Sequence, residues 1–281
     1  MKAMKASGRF WPAGGIGALA VAVAWAWPAD AVPAEAPAPP ELDMPIRCTP
    51  GETCWITKYV DWDETAGRRD YRCEPVSSDR HEGTDIAIRD LEAMRSGVAV
   101  VAAAPGVVFR RRDGMEDVDV LETGDPEKLK GKCGNGVFLR HPGGWSTIYC
   151  HMRKGSIAVN KGDRVKAGQR LGFVGMSGSA QYPHVHFQVM HKRKLIDPFV
   201  GLERSDRCTL GDQPLWTAAA LAKLAYRPTA LYNGGFAPTA PKPKAMRDGR
   251  YRDKVLPRTA PALVLWVDMF AVKAGDKLML G

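Results

Sequence analysis

The sequence predicts a mainly β protein whose central part is an antiparallel sheet. Two observations lead there. Between Arg47 and about Leu202 the apolar residues come in short runs separated by Gly, Pro and Asp, the pattern of strands joined by tight turns. With 45% hydrophobic and 25% charged residues among 281, the chain also has ordinary globular composition and enough length for one or two domains with a real core.

Taken in chain order, residues 1–31 have the form of a secretory signal peptide. Lys2, Lys5 and Arg9 make a positive start, Gly14–Trp27 is an apolar run, and Ala29-Asp30-Ala31 offers a small-x-small cleavage site. That run is shorter than the roughly 20 residues a spanning helix needs, so export without stable membrane insertion is expected. Residues 32–46, rich in Pro, Ala and acidic side chains, read as a stiff solvated linker. Residues 47–208 carry the β domain, with strand-like runs at Val98–Ala103, Val107–Arg110, Val137–Arg140, Ser146–Cys150, Arg170–Val174 and Val185–Met190. Asp113–Lys132 is polar and charged, as a surface loop would be. Residues 209–281 predict a short helix and a small β appendage. Leu215, Ala219, Leu221 and Leu224 have helical spacing, Pro238–Pro257 reads as a basic linker, and Val264–Phe270 and Lys277–Leu280 read as two strands around Ala274-Gly275-Asp276.

The formal net charge is +9, and removing the +2 carried by Lys2, Lys5, Arg9 and Asp30 leaves +7. For an exported chain, such a surface suits an anionic envelope or wall polymer better than nucleic acid. The six Cys (48, 54, 73, 133, 150, 208) contain no CxxC pair; in an exported protein they point to disulfides. Cys133 and Cys150 flank two strand-like runs joined by His141-Pro-Gly-Gly144, so a hairpin would bring them together at its open end. Cys54–Cys73 and Cys48–Cys208 then follow by elimination.

Three short segments carry the chemistry. His184 and His186 in PHVHF are two apart, so on a strand both rings share one side while Val185 and Phe187 point to the core. His81 and Asp85 in HEGTD are four apart, which places them on one face of an extended strand or one turn apart on a helix. His151 follows a strand-like run. Together these five supply a three-ligand zinc site with one open position for water, and two spare imidazoles for proton work. His141 and His191 sit in a Pro-Gly turn and a basic run and read as bland.

These segments resemble the M23 family of zinc metallopeptidases, the lysostaphin and LytM-like murein endopeptidases. The family's HxxxD and HxH motifs read here as His81-Glu-Gly-Thr-Asp85 and His184-Val-His186, supported by VAAAPGVV (101–108), Gly134-Asn-Gly-Val137 and KGDRVKAGQRLGFVGMSG (161–178). The resemblance covers about residues 73–200. It implies a LytM/lysostaphin-type fold (the duplicated hybrid motif), with zinc held by His81, Asp85 and His186. His151 and His184 would be the non-ligand pair that orients and deprotonates the attacking water and stabilises the oxyanion. It further implies a peptidoglycan peptide substrate, hydrolysis of crosslinks or stem peptides, and a periplasmic or wall-associated location in a bacterium; no nucleic-acid partner is expected, and the chain is expected to be a monomer. Ser179-Ala-Gln-Tyr182 departs from the small, Gly-containing sequence usual before the HxH motif, and Tyr182 is placed to narrow the groove.

Other chemistries fit less well. Gly175-Met-Ser177-Gly-Ser179 nearly spells a serine nucleophile elbow, but Ser stands at 179 and no strand-to-helix pattern surrounds it. Cys150 and His151 are adjacent, so on a regular strand they face opposite sides. No HExxH segment is present. The rival from another class is a non-catalytic wall-binding or amidase-activating module, which M23-like domains become after losing their ligands; here all five positions are filled.

Overall fold

The computed structural model describes residue 8 and residues 38–123, 132–204, 207–251 and 255–279. The expected signal peptide, apart from Gly8, lies outside the described residues, as do residues 32–37 of the expected linker and 124–131 of the expected loop. The chain divides into two units, Met1–Ala36 and Pro37–Gly281, and the fold is that of the second.

Alternation builds the central sheet. Strands β1 (Cys54–Lys58) and β2 (Thr84–Ile88) come first, then helix α1 (Leu91–Ser96), β3 (Ala99–Val101), β4 (Gly106–Arg112) and the one-turn α2 (Val120–Thr123). Next are β5 (Asn135–Arg140), β6 (Trp145–Met152), β7 (Arg164–Val165), β8 (Arg170–Phe173), β9 (His184–His191) and β10 (Lys194–Ile196). The eight-stranded sheet runs β1-β2-β9-β6-β5-β4-β7, with β10 paired to β9, and every pairing is antiparallel. β3 and β8 form a separate antiparallel pair. The expected mainly β, antiparallel architecture is therefore observed.

Along β9, Val185, Phe187 and Val189 are buried in the core. Phe187 packs on Tyr149 of β6 and on Trp216, at ring-centroid distances of 5.3 and 5.5 Å. The opposite face of β9 carries His184 and His186. The expected loop at Asp113–Lys132 contains α2 within its described part.

Three expectations are corrected. Leu42 and Ile46, placed in the solvated linker, are buried; Leu42 bridges to Trp216 and Ile46 to Val100. Isolated apolar side chains in a Pro-rich segment find the core because the segment lies along it. Of the disulfides, Cys133–Cys150 forms as expected. The other two are Cys48–Cys54 and Cys73–Cys208, not Cys54–Cys73 and Cys48–Cys208. The turn at Thr49–Thr53, closed by Thr53 N–H donating to Thr49 O at 2.9 Å, folds Cys48 directly back onto Cys54. Finally, in the C-terminal segment, α3 (Ala218–Leu221) falls in the expected helix, and Val264–Phe270 is a strand, β12. Its partner is β11 (Ala230–Ala237), not the stretch from Lys277, whose described residues 277–279 form no strand. Helix α4 (Pro243–Arg247) lies within the expected linker.

Candidate metal centre

Strand pairing assembles the site. Asp85 on β2 pairs with His186 on β9, and Ala87 with His184. Directly opposed residues of antiparallel neighbours project to the same face, so Asp85 and both β9 histidines converge. His81 lies just before β2, in a turn with Arg80 at φ +55° and His81 N–H donating to Ser78 O. Neither the strand nor the helix spacing inferred for His81 and Asp85 applies; the turn carries the imidazole back over the carboxylate.

His151 follows Cys150, which pairs with His186. Regular alternation would aim His151 away from the histidines. Instead it adopts φ +59°, a left-handed conformation unusual for a non-Gly residue, next to a register irregularity between β5 and β6. Its ring centroid then lies 4.5 Å from that of His184 and 6.0 Å from that of His186. All five residues expected at the site are together.

The donor atoms are specific. Asp85 Oδ1 is 3.0 Å from His81 Nε2, 2.8 Å from His186 Nδ1 and 3.6 Å from His184 Nε2. One ligand atom each from His81, Asp85 and His186 fall within 4.8 Å of one another. Backbone carbonyls fix three of the rings: His81 Nδ1 donates to Tyr59 O at 2.8 Å, His151 Nδ1 to Ser177 O at 2.7 Å and His184 Nδ1 to Tyr182 O at 2.8 Å. Each such bond selects a tautomer and leaves Nε2 with a lone pair. Two imidazole nitrogens on half-buried rings and one oxygen of a buried carboxylate, with the tautomer of His81 set, fit a zinc ion with an open position.

Electrostatics separate the groups. Burial alone would raise Asp85, but the His81 and His184 charges and the His186 and His81 hydrogen bonds hold its carboxyl well below the usual range. Burial pulls His81 down, while Asp85 and the Tyr59 carbonyl more than offset it and leave it raised. His151 is held well below the ordinary imidazole range, first by burial and then by the neighbouring His184 and His186. Burial likewise lowers His184 against the pull of Asp85. A neutral imidazole beside the donor set is what general-base work near pH 7 requires.

Residues 79–198 match the family model described as Peptidase family M23. The chain carries an M23 peptidase domain. The M23 domain thus spans all five site residues. Among curated relatives, the DD-carboxypeptidase/endopeptidase Mpg of Neisseria meningitidis is 28% identical over 163 residues, covering 55% of this chain and 32% of that protein. The peptidoglycan DD-endopeptidase ShyA of Vibrio cholerae is 31% identical over 110 residues, covering 39% of this chain and 20% of that protein. The chain therefore spans a third or less of the length of these relatives. A solved zinc-containing peptidase from Vibrio cholerae is 26% identical, covering 52% of this chain and 39% of that one, with a TM-score of 0.33.

Lys58 was not signalled by the motifs, nor were the contacts of Tyr182 and Asn135. Lys58 Nζ lies 3.9 Å from Asp85 Oδ2. Tyr182 packs on His184 with ring centroids 4.7 Å apart, and its hydroxyl is hydrogen-bonded to Thr57 at 3.0 Å. Buried Asn135 donates to Met115 O and Met152 O and accepts from Met115 N, bracing the backbone beside His151. The Gly134-Asn-Gly segment marked this place in the sequence, without showing what the amide bonds to.

Proposed function

We propose that this chain is an exported zinc endopeptidase that hydrolyses peptide bonds of bacterial peptidoglycan. The observation that carries the reading is the convergence of His81, Asp85 and His186 within 4.8 Å, beside two more buried histidines whose Nδ1 atoms are already engaged. The M23 match and the endopeptidase names of the relatives supply the substrate class. Export rests on residues 1–31 and on the engagement of all six Cys in disulfides, which form in oxidising compartments.

In this reading His81 Nε2, an Asp85 carboxylate oxygen and His186 Nδ1 would hold the zinc. When bound, zinc supplies an electrophilic pole for the scissile carbonyl and makes water acidic enough to attack near neutral pH. The chain's own groups do the rest. His151 and His184 orient the attacking water, and a neutral Nε2 takes its proton. The same nitrogen then delivers that proton to the leaving amine, and the second imidazole donates a hydrogen bond to the developing oxyanion only as an imidazolium, protonated at Nε2. The carbonyls of Ser177 and Tyr182 keep both Nε2 atoms available throughout.

The test uses purified murein sacculi, with fragments identified by mass. His186→Ala is expected to lose zinc and cleavage together. His151→Asn, which tolerates the positive φ better than Ala, is expected to keep zinc while turnover falls by roughly 10²–10⁴. Parental cleavage by His151→Asn would contradict its role. A zinc-loaded parent that binds sacculi without cutting them would favour the wall-binding or amidase-activating module.

A further inference from the structure

A cavity of about 500 Å3 adjoins the metal centre and shares Lys58 and Tyr182 with it. Its far wall comes from outside the M23 match: Tyr232 of β11, Arg247 of α4, and Met269 and Phe270 of β12. That wall is fastened to the domain. Arg247 pairs with Asp119 at 3.1 Å, Lys244 with Glu122 at 3.4 Å, and Arg95 donates to the Asp248 carbonyl at 2.9 Å.

The charges lining the cavity are unevenly committed. Asp117 accepts from the Met176 and Lys154 amides, Asp90 caps α1, and Asp119 and Glu122 hold the tail. The cations are differently placed. Exposed Arg68 and half-buried Arg89 both line the cavity, and their guanidinium groups make no ion pair or hydrogen bond among the described residues. Guanidinium groups recognise carboxylates by paired N–H donors.

We propose that this cavity is a subsite for a carboxylate carried by the peptide substrate, with Arg68 and Arg89 as its recognition groups and the C-terminal segment as its outer wall. The assignment rests on the peptidase reading for the identity of the ligand. It gives the segment after the M23 domain a role in choosing substrate. Tyr182, hydrogen-bonded to Thr57, stands between the subsite and His184, so a peptide in the cavity would be held next to the site of cleavage.

The experiment measures equilibrium binding to the full, zinc-loaded chain carrying His151→Asn. The probes are two synthetic crosslinked stem peptides, identical except that the free carboxylates of one are carboxamides in the other. The carboxylate form is expected to bind at least about tenfold more tightly at low salt, with the advantage shrinking as salt rises. Adding Arg68→Gln and Arg89→Gln should abolish that advantage and leave the carboxamide form unchanged. Met269→Trp, which fills the cavity from the tail side, should weaken binding of both. Equal binding of the two peptides, or a preference that survives the double substitution, would overturn the subsite. Undiminished binding to Met269→Trp would remove the tail from it. Cleavage by the chain with His151 intact is scored separately: no cleavage with the carboxylate preference present rejects the peptidase reading and leaves the subsite standing.

Discussion

A Cβ on residue 83 would lie 2.6 Å from the Phe187 carbonyl oxygen and 2.7 Å from His186 Nε2. The backbone between His81 and Asp85 therefore passes flush against the His186 ring and limits how that ring can turn. Gly83→Ala should push the ring off its position and lower zinc affinity about 10–100-fold, read by competition with a chelator. Parental affinity would show that the contact relaxes without moving the imidazole. At this scale the sequence was informative about identity and less so about geometry. The HxH pair was legible because β-strand period places both rings on one face. His81 was not legible as a turn residue, since a separation of four fits a strand or a helix equally. The left-handed conformation of His151 was also hidden, because non-Gly residues enter that region through local context.

Strands β6 and β9 position three of the five groups, and the Cys133–Cys150 disulfide ties the β5–β6 end where His151 sits. His151 N–H also donates to Cys133 O at 2.8 Å. Replacing both cysteines by serine should cost about 3 kcal/mol, the scale expected for a loop of this length. It should also lower turnover more than zinc content, because the element it loosens carries His151, the group proposed to transfer protons. Denaturant titration of the two proteins checks the first part; unchanged stability would contradict it. This hairpin was legible from its Pro-Gly-Gly turn and flanking apolar runs. Strand β11 was not, because Asn233-Gly-Gly in its middle resembles a turn, and its pairing with β12 is fixed only by long-range contact. The Cys48–Cys54 and Cys73–Cys208 bonds were equally illegible: pairing depends on where turns and tertiary packing put the chain, and elimination carries no such information.

For the whole molecule, the segments flanking the M23 domain pack into one aromatic cluster. Tyr59 lies 5.4 Å from Tyr71, 5.3 Å from Phe199 and 5.2 Å from Tyr226, between ring centroids. The Tyr59 carbonyl is the group that orients His81, so the cluster connects global packing to the candidate metal centre. Beside it, buried Asp197 accepts from Trp62 Nε1 and from the Phe199 amide, each at 2.9 Å. Burial pushes the Asp197 carboxyl up to about 6; the two hydrogen bonds and Arg204 oppose the rise, and Asp70 adds to it. The folded state thus keeps this proton to higher pH than the unfolded chain, which releases it near 3.9. Stability from this group falls as pH rises through that window, by about 3 kcal/mol in all. Asp197→Asn should remove that share of the slope, so its stability relative to the parent should improve by about this amount between pH 4 and pH 7. Parallel pH profiles for the two proteins would contradict the assignment. None of this long-range coupling could be read from the sequence, where Asp197 and Trp62 are 135 residues apart.

The central claim is that two imidazoles and one carboxylate hold a metal which the remaining histidines put to use. Zinc content by elemental analysis, measured on the samples used for sacculus digestion, tests it most directly. About one zinc per chain and cleavage are expected for the parent, zinc without cleavage for His151→Asn, and neither for Asp85→Asn. Cleavage by a parent stripped of metal, or full zinc occupancy in Asp85→Asn, would contradict it.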